Sequence, residues 1–174
     1  MLSNYNKWAV LTAFFNEPLK EFGLRELSRK VKLAPKSVKN YLKEFIKQEI
    51  IIEKSKDKTP LYNANRDNKE FIFYKKINNQ SILRSAGLID YIYDACLPDV
   101  MILFGSFSKG EDIKTSDVDI YLQCNDKRIN LEKYEKLIER KINLFFSSSF
   151  NKLSNELKNN ILNGVIMKGY LKVF

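Results

Sequence analysis

The chain contains no histidine among its 174 residues and only two cysteines, Cys96 and Cys124. The absence of histidine excludes His-based acid–base catalysis, Ser-His-Asp triads and His-ligated zinc sites. The two cysteines lack paired spacing and both lie among apolar residues, which predicts buried free thiols in a reducing cytoplasm. Any catalysis must therefore depend on carboxylates, lysine or arginine, hydroxyls and hard metal ions.

Long hydrophobic runs are also missing. No apolar stretch approaches the length of a membrane span, so we expect no membrane partner. The first residues, MLSNYNKWAVLTAFF, have one lysine and no small-residue cleavage site, and we predict no signal peptide from them. Apolar residues make up 44% of the chain, which is enough for a packed core in one or two small domains.

Positive charge is concentrated near the N-terminus. Residues 1–66 carry 14 Lys and Arg against 7 Asp and Glu, whereas residues 67–174 carry 16 against 14. Such an excess is typical of a nucleic-acid-binding surface. Because lysine is frequent along the whole chain, part of this excess could be compositional.

The N-terminal third has the pattern of three helices and a β-hairpin. Ser3 is placed to cap a first helix that contains Trp8, Leu11, Phe14 and Phe15 at helical spacing. Pro35 suits the first position of the third helix, whose apolar face follows the i, i+3, i+4, i+7 pattern. The later predicted elements are a short helix over 24–31, a turn at Leu33-Ala34, a longer helix from Pro35 to Gln48, and strands at 50–53 and 60–64.

The segment LRELSRKVKLAPKSVKNYLKEFIKQEIIIE, with this hairpin, resembles the winged helix-turn-helix regulators of prokaryotes. The resemblance covers about residues 5–65 and implies binding of duplex DNA, with the third helix in the major groove and the hairpin tip near the backbone or minor groove. The residues implied are Lys36, Ser37, Lys39, Asn40, Lys43, Lys54, Lys56 and Lys58. The alternative is a domain for dimerisation or protein contact, for which Trp8, Phe14 and Phe15 are candidates, although these residues fit a core equally well.

Residues 67–97 predict two connecting helices. Asp67 is placed to cap the first helix, Asn78-Asn79-Gln80 to end it, and Ser81 to cap the second. The absence of a Gly/Ser-rich linker argues against two freely tumbling domains. The predicted domains are therefore residues 1–66 and 98–174, joined by these helices.

After Pro98 the apolar period changes from helical to strand-like, which predicts an α/β (α+β) fold. That its sheet is mixed and flanked by helices is what the family resemblance given below implies. Gly164 suits the C-terminal cap of the last helix, and the segment from 165 to 174 could be a strand or an extended tail. The predicted elements are strands at 100–104, 117–124 and 142–146, a polar loop at 106–116 that could contain one helical turn, and helices at 131–141 and 152–163.

Two carboxylates, Asp117 and Asp119, open the second of these strands. Carboxylates at positions i and i+2 of a strand point to the same face, where they repel unless a cation lies between them. Hard oxygen ligands of this kind suit Mg²⁺ or Mn²⁺. The Gly105-Ser106 turn offers backbone N–H groups and a hydroxyl for phosphate. The stretch therefore predicts a site for a metal–nucleoside triphosphate.

The segment LFGSFSKGEDIKTSDVDIYLQ resembles the minimal nucleotidyltransferases of the polymerase β superfamily. The family pattern is Gly-Ser, a ten-residue spacer and Asp-x-Asp, and Lys109-Gly110 stands where the family often has Arg-Gly. The resemblance covers about residues 98–146. It implies transfer of a nucleoside monophosphate, most simply AMP from ATP, to an acceptor hydroxyl. The implied site residues are Asp117 and Asp119 for the metal, and Gly105, Ser106, Lys109 and Ser116 for the nucleotide.

The sequence departs from this family at one position. Active members carry a third carboxylate on the next strand, and here the corresponding triplet is Ile142-Asn143-Leu144. Asn143 is neutral and cannot act as a general base, although its carbonyl could still contact a metal or a water. Candidate substitutes are the loop carboxylates Glu111, Asp112 and Asp126.

Three functions follow from these resemblances. The first is a metal-dependent nucleotidyltransferase with a DNA-binding domain. The second is a catalytically weak nucleotide-binding domain that switches a DNA-binding regulator. The third is an antitoxin-like partner of a helical ribonuclease, against which the fused N-terminal domain counts. A homodimer is compatible with each.

Overall fold

The structure is a computed structural model that describes residues 5–56 and 59–173, apart from the side chain of Lys56. Ser3, Lys58 and the side chain of Lys56 therefore lie outside the described residues. The chain divides into two compact units, residues 1–78 and 79–174. Helices and two sheets, one of them mixed, confirm the predicted α/β (α+β) class.

The first unit packs three helices against a small antiparallel sheet of strand order β1-β3-β2. Its core contains Phe14, Phe15 and Phe45, each at most 1% exposed, so the two N-terminal phenylalanines serve the core rather than a dimer surface. Its elements are α1 (Tyr5–Asn16), β1 (Phe22–Gly23), α2 (Leu24–Val31), α3 (Pro35–Lys47), β2 (Ile51–Lys56) and β3 (Thr59–Ala64).

The predicted helix–turn–helix and hairpin are present in this unit. Lys32 ends α2 in the left-handed region, with φ 56°, and Pro35 begins α3. Val38, Leu42 and Phe45 are the buried residues of α3, as their spacing predicts. The short β1, which pairs with β3, was not predicted because two residues are too few to show a strand period.

One continuous helix, α4 (Lys69–Ser85), contains the Asn78-Asn79-Gln80 segment. The predicted break there is wrong, because tertiary hydrogen bonds of the Asn79 side chain stabilise the helix against its low local propensity. The predicted cap at Asp67 is also wrong: Asn68 Oδ1 accepts from the amides that start the helix. Ser81 lies inside α4, and Gly87, with φ 73°, separates α4 from α5 (Leu88–Cys96).

The second unit is built on a four-stranded sheet of order β6-β5-β4-β7. The strand β5 pairs antiparallel with β4 and parallel with β6, so the sheet is mixed. The remaining elements are β4 (Val100–Phe104), α6 (Gly105–Lys109), β5 (Val118–Leu122), α7 (Glu132–Ile138), β6 (Ile142–Phe146), a 3₁₀ turn (Phe150–Lys152), α8 (Asn155–Leu162) and β7 (Val165–Gly169).

The end of the chain resolves the choice between strand and tail. Residues 165–169 form β7, which pairs antiparallel with β4. Gly164 precedes this strand at a close approach, since a Cβ there would lie 2.6 Å from the carbonyl oxygen of Leu103. Ser154 caps α8 by accepting from Leu157 N, so this helix begins at Asn155, three residues later than predicted.

Cys96 is buried and Cys124 is partly exposed, and both are free thiols. The prediction of two buried thiols is therefore correct for Cys96 only. Among the residues that the structure describes, none of the helices combines the length and apolarity that a membrane span needs.

Candidate functional site

Neighbouring strand ends bring the predicted acidic residues together. Asp117 directly precedes β5, and Asp119 is its second residue. Asp119 pairs in register with Phe104 at the end of β4 and with Asn143 on β6. Since residues i and i+2 of a strand share a face, Asp117 and Asp119 point to one side of the sheet. The structure thus places Asn143, which the family resemblance set at the position of the third carboxylate, directly opposite Asp119.

Gly105 shapes the space beside Asp119. Its φ is 73°, in the left-handed region that favours glycine, and it joins β4 to α6. A Cβ on this residue would lie 2.6 Å from Asp119 Oδ2. Because Gly105 has no side chain, the Gly105-Ser106 turn and the Asp119 carboxylate can lie close together.

The amide of Asn143 lies against both carboxylates. Its Nδ2 donates to Asp117 Oδ2 at 3.2 Å and to Asp119 Oδ1 at 3.0 Å. The amide nitrogen must face this way, because an amide oxygen turned toward two carboxylates would be repelled. Both amide hydrogens are then used, and they relieve the repulsion that a cation would otherwise relieve.

This donor set fits one hard cation. Two carboxylate groups and the Asn143 carbonyl, once the amide has rotated, are the oxygen ligands that Mg²⁺ and Mn²⁺ prefer. No group of three or more His, Cys, Asp or Glu that could hold a metal is found in the described part of the chain. The site therefore has less negative charge than a two-metal centre with three carboxylates would have.

Tyr121 lies two residues beyond Asp119 on the same face of β5. Its side chain is fully buried, and burial raises its pKa to about 12. The phenol is therefore protonated at neutral pH and does not supply the general base that Asn143 lacks.

The other predicted nucleotide-binding residues lie on or after α6. Ser106 and Lys109 are partly exposed on this helix. Ser116, also partly exposed, accepts a local hydrogen bond at Oγ from Ile113 N at 3.0 Å. Its hydroxyl proton is available for a ligand oxygen.

Of the three substitute carboxylates, Asp112 is a wrong prediction. Its side chain is 0% exposed and forms an ion pair with Arg140 at 3.0 Å, so it cannot reach a substrate. Glu111 is exposed in the α6–β5 loop. Asp126 follows the opposite end of β5 from Asp117, which does not favour a role beside the acidic pair.

Three connected residues lie beside the site, Asn79, Asp112 and Arg140, which we call the buried clamp. Sequence reasoning missed Arg140 and named Asp112 only as a loop carboxylate and Asn79 only as part of a helix break. Asn79 Nδ2 donates to Asp112 Oδ1 and to the carbonyl of Phe107, both at 2.8 Å. Arg140 donates to Asp112 Oδ2 and, through its other terminal nitrogen, to the carbonyls of Ile113 and Ser116. No spacing signals this set, because its members come from three separate segments.

In the first unit, α3 presents the predicted polar face. Lys36, Lys39, Asn40 and Lys43 are exposed, and Ser37 is partly buried. In the hairpin, Lys54 is exposed and forms an ion pair with Glu21 at 3.6 Å. Its charge is thus partly neutralised, whereas Lys56 and Lys58 lie outside the described side chains.

A basic cleft beside the α2–α3 turn was also missed. Arg25, Arg29 and Lys32 are exposed there, next to the N-terminus of α3. Their spacing along α2 could have indicated the cleft, because residues four apart share a helix face. The cleft is lined by Arg25, Ser28, Arg29, Lys32, Leu33 and Pro35.

Comparison with known protein families supports the functional assignment predicted for the second unit. Residues 94–166 match the family model described as "Nucleotidyltransferase domain". The matched range contains Gly105, Asp117, Asp119 and Asn143, and it supports the predicted nucleotidyltransferase domain. The match does not extend to the first unit. No match to a curated protein was found.

Proposed function

We propose that this domain binds a nucleoside triphosphate with Mg²⁺ or Mn²⁺ and transfers its nucleoside monophosphate, most simply AMP from ATP, to an acceptor hydroxyl. The observation that carries the proposal is the convergence of Asp117 and Asp119 beside Gly105, inside the range matched by the family model. The acceptor oxygen would form a bond to the α-phosphorus while the α–β bridging bond breaks. Pyrophosphate would leave, and the acceptor proton would pass to solvent.

The residues around the carboxylates suit the other parts of the nucleotide. Asp117 and Asp119 would hold the cation, which supplies neutralising charge to the triphosphate. Gly105 and Ser106 would approach the phosphates through backbone N–H groups and the Ser106 hydroxyl. Lys109 and Ser116, which flank the same turn and loop, would contact the phosphate oxygens.

The proposed transfer is slow, because Asn143 replaces the residue that would take the acceptor proton. General-base assistance contributes about 10²–10⁴-fold to such reactions. Asp112 and Tyr121 do not restore it, since Asp112 is ion-paired in the interior and Tyr121 remains protonated.

Release of pyrophosphate tests this function. We expect Mg²⁺-dependent release from ATP labelled on the α-phosphate, with the label transferred to a larger product. The double variant Asp117→Asn with Asp119→Asn should abolish both signals while keeping the fold. Release that continues unchanged in this variant, or without a divalent cation, would refute the proposal.

A second candidate is a DNA-binding regulator that responds to the bound nucleotide. The exposed lysines of α3 and the basic cleft beside the α2–α3 turn favour it, because both lie around one helix–turn–helix. Lysine and arginine at such positions bind phosphates, and Asn40 is suited to reading a base edge. Because Asn143 replaces the third carboxylate, the site of the second unit fits binding of a nucleotide without transfer equally well.

Duplex DNA binding at two salt concentrations tests this candidate. We expect affinity to fall steeply between 50 and 200 mM salt, as counterion release requires. Lys39→Ala with Lys43→Ala should reduce the log–log salt slope by about 2, one for each phosphate that is no longer neutralised. The matched control, Lys152→Ala with Lys172→Ala, removes the same charge from the second unit. Equal effects of both pairs, or no DNA binding, would exclude the role.

A further inference from the structure

A carboxylate without solvent exposure organises the loop between α6 and β5. Asp112 is 0% exposed, and its two oxygens accept from different elements: Oδ1 from Asn79 on α4 and Oδ2 from Arg140 after α7. The Arg140 side chain is 9% exposed and lies over the Phe107 ring at 5.3 Å. The buried clamp therefore joins three segments of the second unit through side chains that solvent barely reaches.

One side of the clamp fixes the backbone around Asp117. Arg140 donates to the carbonyl of Ser116 at 3.0 Å, and the next residue, Lys141, accepts from Val118 N at 2.8 Å. The residues on both sides of Asp117 are thus bonded to consecutive residues, 140 and 141. These two bonds hold the backbone on both sides of Asp117 against the residues that lead into β6.

The other side fixes the turn that carries Gly105 and Ser106. Asn79 donates to the carbonyl of Phe107 at 2.8 Å, and Glu111 N donates to the carbonyl of Ser106 at 3.0 Å. The carbonyls of α6 are therefore bonded to α4 and to the loop that leads to Asp112. Both halves of the site are connected through one carboxylate.

We infer that the buried clamp, Asn79, Asp112 and Arg140, is a set of positioning residues that holds the Gly105-Ser106 turn at the correct distance from Asp117 for one metal–nucleotide complex. This inference rests on the proposed function. Asp112 and Arg140 have opposite charges, so the pair adds little net charge to the site. A buried ion pair is also weak evidence for stability, because well-packed apolar side chains often replace it without loss. Such a replacement removes the hydrogen bonds that orient the Gly105-Ser106 turn relative to Asp117.

The double variant Asp112→Leu with Arg140→Met separates orientation from stability. It replaces the ion pair by apolar side chains of similar size and should still fold, with a melting temperature below that of the parent because the carbonyls of Ile113 and Ser116 lose their donor. Without the bonds to Ser116 and Ile113, we expect the dissociation constant for a non-hydrolysable ATP analogue with Mg²⁺ to rise at least about tenfold, because a misplaced turn loses about one charge-assisted hydrogen bond to the triphosphate. Amide hydrogen exchange over residues 105–119 should accelerate while the rest of the sheet keeps its protection.

A second variant, Arg140→Lys, keeps the charge but has one ammonium group for three acceptors. We expect it to fold and to show the same loss of affinity in smaller measure. The inference would be overturned if the double variant binds the analogue and exchanges its amide hydrogens as the parent does. If the double variant does not fold, an Arg140→Lys variant that binds the analogue as tightly as the parent would overturn it instead. If the parent itself binds no nucleotide, the proposed function fails, and the exchange comparison of residues 105–119 alone decides whether the clamp orders the site.

Discussion

Replacing Asn143 by aspartate should make the stability of the protein depend on a divalent cation. In the parent, the Asn143 amide donates to both Asp117 and Asp119, at 3.2 and 3.0 Å. Asn143→Asp removes both donors and adds a third carboxylate at hydrogen-bond distance from the other two. Without a cation the three groups repel, and a bound Mg²⁺ or Mn²⁺ ion relieves the repulsion.

The size of the effect follows from these contacts. A hydrogen bond to a charged group contributes about 1.5–3 kcal/mol when it is buried. Two unit charges 4 Å apart repel by about 1 kcal/mol in water and about 4 kcal/mol at an effective dielectric constant of 20. Because Asp117 is exposed and Asp119 only partly buried, solvent screens both the hydrogen bonds and the repulsion, so we expect less than the sum of these lower values, a loss of about 2–4 kcal/mol. For a chain of this length that lowers the melting temperature by roughly 5–15 °C.

Thermal unfolding at pH 8, with and without 10 mM Mg²⁺ or Mn²⁺, measures this effect. We expect a large cation-induced rise in the melting temperature of Asn143→Asp and little change in the parent. Asn143→Leu loses the donors without gaining a charge, so its melting temperature without cation should lie between the two. Pyrophosphate release should increase in Asn143→Asp, because the restored carboxylate can take the acceptor proton.

Two outcomes would refute this reasoning. One is an Asn143→Asp variant as stable as the parent without cation, which would mean that the amide does not hold the carboxylates together. The other is a parent that responds to cation alone as strongly as the variant, which would mean that the amide hydrogens do not compete with a metal.

Two further predictions concern glycine and cysteine. Gly105→Ala should bind the metal–nucleotide complex more weakly, because its Cβ would displace the Asp119 carboxylate, and should cost about 1–2 kcal/mol of stability. The control is Gly87→Ala, which has the same φ of 73° but open space around its Cβ and should keep the parental affinity. Calorimetric titration of both variants measures the difference. Burial raises the pKa of Cys96 and that of Cys124, so both thiols are mostly protonated at pH 7.5. Cys96, 2% exposed, should react with iodoacetamide far more slowly than the partly exposed Cys124, with rates that rise with pH; equal rates at the two positions would contradict the structure.

Much of the second unit could be predicted because its signals are local. The strand-like run at 100–104, the Gly-Ser turn and the Asp-x-Asp pair follow one another in sequence, and their contacts are between neighbouring elements. Asn143 was identified through the family resemblance, from its place between two apolar residues, whereas its register against Asp119 is known only from the structure. The first unit has the predicted helix–turn–helix for the same reason, although its winged-helix assignment and DNA binding remain predictions.

The errors arise where distant residues decide the local structure. Asn78-Asn79-Gln80 has low helix propensity, yet Asn79 is fixed by Phe107 and Asp112, which lie 28 and 33 positions further along the chain. Asp112 itself has the sequence context of a solvated loop carboxylate. Its burial depends on Arg140, whose importance no local pattern shows. Sequence periodicity does not predict the burial or the partners of charged and amide side chains in such networks.

Calorimetric titration with a non-hydrolysable ATP analogue tests the central claim most directly. We predict that the parent binds the analogue with one equivalent of Mg²⁺ or Mn²⁺. We also predict that binding disappears without the cation and in the double variant Asp117→Asn with Asp119→Asn. Absence of binding by the parent, or unchanged binding by the double variant, would contradict the assignment of these two carboxylates to a metal–nucleotide site.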